Sequence, residues 1–148
     1  MWRMIVPVDA VPLGLLEEKI QLTPWSIQNV RETLEHGGIG WAIENEADGL
    51  YAYIIIQAAV DTADILTLGV HPYYQRQGLG RTALQCAKNW CVEHKFETLF
   101  LEVRVSNEAA VALYQACGFK IIHCRKNYYN VPTGGGMRED AWIMSWQN

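Results

Sequence analysis

No two cysteines stand at C-x-x-C spacing and no two histidines stand four apart, so the usual spacings of a zinc site are missing. The four cysteines, Cys86, Cys91, Cys117 and Cys124, are scattered. Cys86 and Cys91 fall in a helical pattern and read as small core residues, because a free thiol packs like a hydrophobe. No metal is expected. A secretory leader is missing too: "MWRMIVPVDA" has no long apolar stretch and no small-residue cleavage site. The longest apolar segment, "YAYIIIQAAV", is too short to span a bilayer. A cytoplasmic, soluble protein without a membrane partner is therefore expected. Basic residues are in deficit, 12 against 16 acidic ones, for a net charge of -4. Broad nucleic-acid binding needs a basic face, so direct nucleic-acid binding is not expected. Repeats and linkers are also absent.

What is present is enough for one core. Half of the 148 residues are apolar, and a single domain over 1–148 is expected. "WRMIVPV" reads as a short first strand. "DAVPLGLLEEKI" and "TPWSIQNVRETLEH" read as helices, the second with Pro24 in its opening turn and Gly37-Gly38 at its end. "GIGWAIEN", "GLYAYIIIQAAV" and "ADILTLGV" follow as strands on short connections, with Asp48-Gly49 as a hairpin signal. That predicts an antiparallel meander.

After Val70 the period changes. "GLGRTALQCAKNWCVEHK" is helical, "ETLFLEVRV" is a strand, and "SNEAAVALYQACG" is a helix with Ser106 or Asn107 as cap and Gly118 at its end. "FKIIHCRKNYY" and "EDAWIMSW" are the last strands, joined by the glycine-rich "NVPTGGGM". The class is α+β, a mixed and mostly antiparallel sheet with flanking helices in the order βααβββαβαββ. The central strand–helix–strand unit supplies one parallel pair.

The stretch "HPYYQRQGLGR" raises the question of a phosphate site, because a glycine-rich turn that opens a helix usually holds a phosphate. "GLGRTA" fits the dinucleotide pattern G-x-G-x-x-A, and Glu102 lies at about the spacing of a ribose-binding acid. Three features oppose that fold: the long loop between Val70 and Gly78, the place of Glu102 inside a strand, and the antiparallel surroundings. A Walker loop is excluded because its Lys-Ser/Thr ending is missing. The bland alternative is a tight turn. However, Gln75, Gly78 and Gly80 at the head of a long helix resemble the acyl-CoA signature Q/R-x-x-G-x-G/A of the Gcn5-related N-acetyltransferases (GNAT). The order of elements is similar to that family's fold over essentially the whole chain.

The resemblance implies acetyl-CoA as co-substrate. Backbone N–H groups over Arg76, Gln77, Gly78, Leu79, Gly80 and Arg81, with the helix N-terminus, would hold its pyrophosphate. Arg76 and Arg81 would add charge, or simply be surface arginines. By the same resemblance Leu68, Gly69 and Val70 face the thioester, one N–H acting as an oxyanion donor. The alternative is a plain strand end at His71-Pro72.

Strand alternation puts Thr98, Phe100, Glu102 and Arg104 on one face. From the residues alone, Glu102 reads as an ion-pair partner of Arg104 or a neighbouring strand, and Tyr114 as a core aromatic. "YYQRQGLGR", "LEVRVSNEAAVALYQACGF", "RKNYY…REDAWIM" and "PWS" look like family members that acetylate the N-terminal alanine of a small-subunit ribosomal protein. That likeness implies Glu102 as general base, Tyr114 as general acid and Asn107 as a cofactor contact. It also implies a substrate side at Trp25, Tyr128, Tyr129, Glu139 and Asp140. The tyrosines otherwise read as strand packing. An α-amino group titrates at about 8, well below lysine, so a modest base suffices. Alternatives are a lysine or small-amine acceptor, a route through Cys117, or a non-catalytic acyl-CoA-binding module. "NVPTGGGM" is a few residues longer than the loop the resemblance implies.

Overall fold

The computed structural model describes residues 1–132 and 135–148. The elements are β1 (Arg3–Met4), α1 (Ala10–Ile20), α2 (Ile27–Glu35), β2 (Ile39–Asn45), β3 (Gly49–Ala58), β4 (Thr62–Val70), α3 (Leu79–Glu93), β5 (Thr98–Arg104), α4 (Glu108–Ala116), β6 (Lys120–Asn130) and β7 (Arg138–Gln147). This is the expected order. Two residues of the "NVPTGGGM" connection, 133 and 134, lie outside the described residues. Among the described residues, no helix is long and apolar enough to cross a membrane.

The sheet order is β1-β2-β3-β4-β5-β7-β6. Every neighbouring pair is antiparallel except β4 and β5. Alternation along β3 sends Ile54 and Ile56 to one face, where Ala83, Leu84, Ala87 and Cys91 of α3 cover them. Tyr53 and Ile55 go to the other face, under Ala10, Leu13 and Leu16 of α1 and Val30 of α2. The result is a sheet between two helical layers.

Two local readings change. The first strand is only two residues long, because Pro7 opens a 3-10 turn, Pro7–Asp9. Asp9 fixes that turn by accepting from Val6 N at 2.8 Å and from Arg3 in a two-pronged pair at 2.9 and 3.0 Å. The second helix starts after Pro24, at Ile27. Ser26 is its cap, accepting from Asn29 N at 3.0 Å.

β4 is not a regular strand. Its register with β3 slips between Ile55 and Ile56, which pair with Thr67 and Ile65, leaving Leu66 as an extra residue. Ile65 and Leu68 are three apart, yet both pack in the α3 cluster. The bulge resets the alternation. Further on, Gly69 lies under the Tyr53 phenol: a Cβ there would stand 2.4 Å from Tyr53 Oη. Tyr53 is fully buried, so it has nowhere to retreat. Gly69→Ala is expected to lower the unfolding free energy by about 1–3 kcal/mol, measured as a drop in the urea midpoint.

Candidate active site

The parallel pair is short. β4 and β5 are joined at Thr62–Thr98, Ala63–Leu99 and Asp64–Phe100, and beyond that they part. β5 instead stays paired with β7 through Arg104. The gap opens into a cavity of ≈ 870 Å³. Its walls are Leu66, Thr67 and Leu68 of β4, Leu101 to Arg104 of β5, Asn107 at the N-cap of α4 and Tyr114 within α4. The connection between α1 and α2, with Trp25, and Tyr128 and Tyr129 of β6 complete it.

The bulge decides which groups of β4 face the gap. His71 N donates to Tyr51 O of β3 at 2.7 Å. By alternation Gly69, opposite Tyr53, also turns its backbone toward β3. Leu68 and Val70 turn the other way: Gln21 donates to Leu68 O at 3.0 Å, and Gln75 to Val70 O at 3.1 Å. The N–H groups of this strand that turn away from β3 are therefore those of Leu68 and Val70. At Gly69 the missing Cβ makes room for Tyr53, and the N–H turns toward β3.

The glycine loop is an open cradle beside this cavity, and none of 76–81 lines the cavity itself. Gly78 takes φ +79, with nothing within 4 Å of where a Cβ would lie, and caps α3. Arg76 is also left-handed, at φ 63. The first bond of the helix runs from Thr82 N to Gly78 O, 3.1 Å. The N–H groups of Arg76 to Arg81 are thus ahead of the helical ladder and have no partner among the described residues. Such a row of free donors at a helix N-terminus fits a pyrophosphate. Gly80 has another reason: a Cβ there would come within 2.8 Å of Leu113 Cδ2, so it lets α3 approach α4. The approach loop is pinned by Tyr74, which stacks on Tyr51 at 4.2 Å, accepts from Asn45 at 2.8 Å and donates to Asp48.

Glu102 and Tyr114 both line the cavity. Glu102 is one-third exposed and accepts from Arg125 of β6 at 2.8 Å, so the ion-pair reading holds with a strand two places away. Arg125 is half exposed, and a pair of that kind is worth ~0–1 kcal/mol. It leaves Glu102 free to exchange partners. The Tyr128 phenol is held above its ordinary value, first by hydrogen bonding toward Glu102 and then by burial. Asp64, at the fork, is raised first by burial and then by the charge of Glu102. Tyr114 is buried, which pushes its phenol up to about 12. Its ring meets Phe119 edge-on at 5.9 Å, and its hydroxyl has no partner among the described residues. Asn107 caps α4 with Oδ1, accepting from Ala110 N at 3.2 Å, which leaves its amide hydrogens available to the cavity.

Residues 12–119 match the Acetyltransferase (GNAT) family. The chain belongs to that family. It is an N-acetyltransferase, and acetyl-CoA is its acyl donor. Among its relatives is the ribosomal protein bS18-alanine N-acetyltransferase of Escherichia coli K12, 37% identical over 130 residues, covering 88% of this chain and 85% of the relative. The enzyme of the same name from Haemophilus ducreyi is 36% identical over 147 residues, covering 98% of both. The crystal structure of the E. coli ribosomal-protein-S18-alanine N-acetyltransferase superposes with a TM-score of 0.88 at 32% identity, over 99% of this chain and 94% of that one.

The acetyltransferase does not expose every expected side chain to its cavity. Glu139 and Asp140 do not line it. Glu139 accepts from Arg104 at 3.0 Å and from Ser106 Oγ at 3.1 Å. Burial pulls its carboxyl upward, but these hydrogen bonds outweigh that and hold it below the usual range. Asp140 accepts from Asn127 N at 2.9 Å and from Lys126 at 3.2 Å, and the Asn127 bond in particular lowers it. Glu139 is paired with the nearly buried Arg104, whereas the Lys126 partner of Asp140 is exposed. Both acids shape the wall: β6 slips register between Arg125 and Tyr129, and Asp140 holds that irregularity beside Tyr128. Arg104 lies under Tyr129 at 4.5 Å and reaches Thr23 Oγ1 at 3.1 Å, closing one end of the cavity.

Cys117 is buried at the end of α4 and does not line the cavity. Among the described residues no group of acids, histidines and cysteines is arranged to hold a metal ion. The sequence reading missed Glu17, Gln21 and Asp64, all on the cavity wall. Glu17 carried a signal: with Ala10 and Leu13 it falls at i, i+3, i+7, on the apolar stripe of α1.

Proposed function

We propose that this acetyltransferase acts on a protein N-terminus, the terminal alanine of ribosomal protein S18, by direct attack within a ternary complex. The observation that carries the proposal is the single cavity that joins Leu68, Glu102 and Tyr114 to Trp25, Tyr128 and Tyr129. Donor-side, proton-transferring and acceptor-side residues share one space. The relatives bearing that activity in their names support the choice of acceptor.

Bound acetyl-CoA supplies an activated acetyl thioester. In this reading the free N–H row from Arg76 to Arg81 binds its pyrophosphate, and the Leu68 and Val70 N–H groups polarise the acyl carbonyl. Asn107 donates to the cofactor arm from the opposite lip. Glu102 accepts the proton that the α-ammonium must lose, directly or through a water. Tyr114 keeps its proton at neutral pH and gives it to the departing thiolate sulfur. Trp25, Tyr128 and Tyr129 frame the first residues of the peptide.

The test is product identification by mass. The enzyme is incubated with acetyl-CoA and an alanine-terminal peptide, an N-blocked lysine peptide, and small amines. One acetyl group on the alanine α-amine is expected. Acetylation confined to lysine side chains or small amines would overturn the acceptor assignment.

A further inference from the structure

Glu17 is fully buried in α1 and pairs with no cation among the described residues. A carboxylate in that position is costly to keep, since an apolar residue would pack there without desolvating a charge. Its partners come from both sides of the cavity. Oε1 accepts from Trp25 N at 2.9 Å, in the connection that frames the acceptor. Oε2 accepts from Thr67 Oγ1 at 2.7 Å, next to Leu68, and from the Tyr53 phenol. Gln21 extends the chain: its Nε2 donates to Tyr53 Oη at 3.3 Å and to Leu68 O at 3.0 Å. Because Leu68 O only accepts, it fixes the orientation of the Gln21 amide. The Tyr53 phenol also lies where Gly69 lacks a Cβ. Every member but Tyr53 belongs to the cavity wall.

We propose that Glu17 is a positioning residue for acyl transfer, locking the acceptor loop at Trp25 in register with the donor strand at Leu68 through Thr67, Tyr53 and Gln21. This rests on the reading of the cavity as a peptide-acetylation site. The physical reason is alignment: an attacking amine and its carbonyl react only when held within a fraction of an ångström of the productive geometry. The loop and the strand are separate elements with no shared ladder. A network of buried hydrogen bonds joins them at a fixed spacing.

The test uses the whole enzyme with Glu17→Gln and Tyr53→Phe, each on two acceptors: an alanine-terminal hexapeptide, and alaninamide, which leaves almost no chain to touch the loop. Acetyl-CoA binding is measured separately at equilibrium. For the hexapeptide, kcat is expected to fall about tenfold in Glu17→Gln with KM changed less. For alaninamide the loss stays under about threefold, and acetyl-CoA affinity stays within about twofold. Tyr53→Phe keeps the ring and removes only the bridging hydroxyl, so it shows the same selective loss should Glu17→Gln fail to fold. Equal losses on both acceptors, or acetyl-CoA binding that weakens in step, would mean a merely structural role and overturn the proposal. A wild-type enzyme inactive on the hexapeptide would overturn the functional reading itself, and with it this proposal, before any variant is made.

Discussion

Glu102→Gln is expected to lower kcat for the alanine-terminal peptide by roughly 10²–10³-fold at neutral pH, the range of a lost general base. The substrate arrives as an ammonium with a pKa of about 8. Below that value the enzyme must remove a proton before attack, and the amide of glutamine cannot accept it. As pH rises through about 8 the amine arrives already neutral, so the deficit of the variant shrinks and then levels off. Glutamine keeps the shape of glutamate and still accepts a hydrogen bond from Arg125, whose pair with Glu102 is half exposed. The fold therefore has little to lose from the change. The measurement is kcat across pH 6 to about 9.5, a range that brackets the titration of the α-amine. A deficit that is the same at every pH would assign Glu102 to binding rather than proton transfer.

Tyr114→Phe is expected to slow transfer by roughly 10²-fold while acetyl-CoA affinity stays nearly unchanged. Phenylalanine preserves the edge contact with Phe119. The lost hydroxyl has no protein partner among the described residues, so no buried group is orphaned and stability moves little. Burial pushes the phenol up to about 12, above its ordinary 10. Its proton is therefore present throughout the working range. The wild-type profile should show no alkaline loss near 10 from this residue, because the loss would begin only toward 12. A full rate in the phenylalanine variant would remove Tyr114 from the chemistry and leave it as a core aromatic.

The glycine loop and the cavity differ in how far they could be read in advance. Gly78 and Gly80 were legible as a helix-opening cradle, yet their reasons proved different. Gly78 needs its left-handed φ, whereas Gly80 clears Leu113, a residue 33 positions away. Gly69 is similar: its partner is Tyr53, on another strand. Glu139 and Asp140 were placed on the substrate side by resemblance alone, and their partners Arg104, Ser106, Asn127 and Lys126 were not identifiable from spacing. The β4 bulge left no local mark, because it is defined by the register of β3 against β4.

The sequence by itself determined the order of elements, the antiparallel meander and the single parallel pair, while the acyl-CoA reading of the glycine loop came from its resemblance to a family signature. The first three follow from short-range rules: a period of two or near 3.6, with hairpin and capping residues. Only the tertiary structure decided where β4 leaves β5, and which N–H groups face the gap. It also decided that Arg125 meets Glu102 and that Glu17 binds both walls of the cavity. Each of these is a pairing across distant parts of the chain. Its energy exists only once the sheet has brought the partners together, so no local pattern of residues records it.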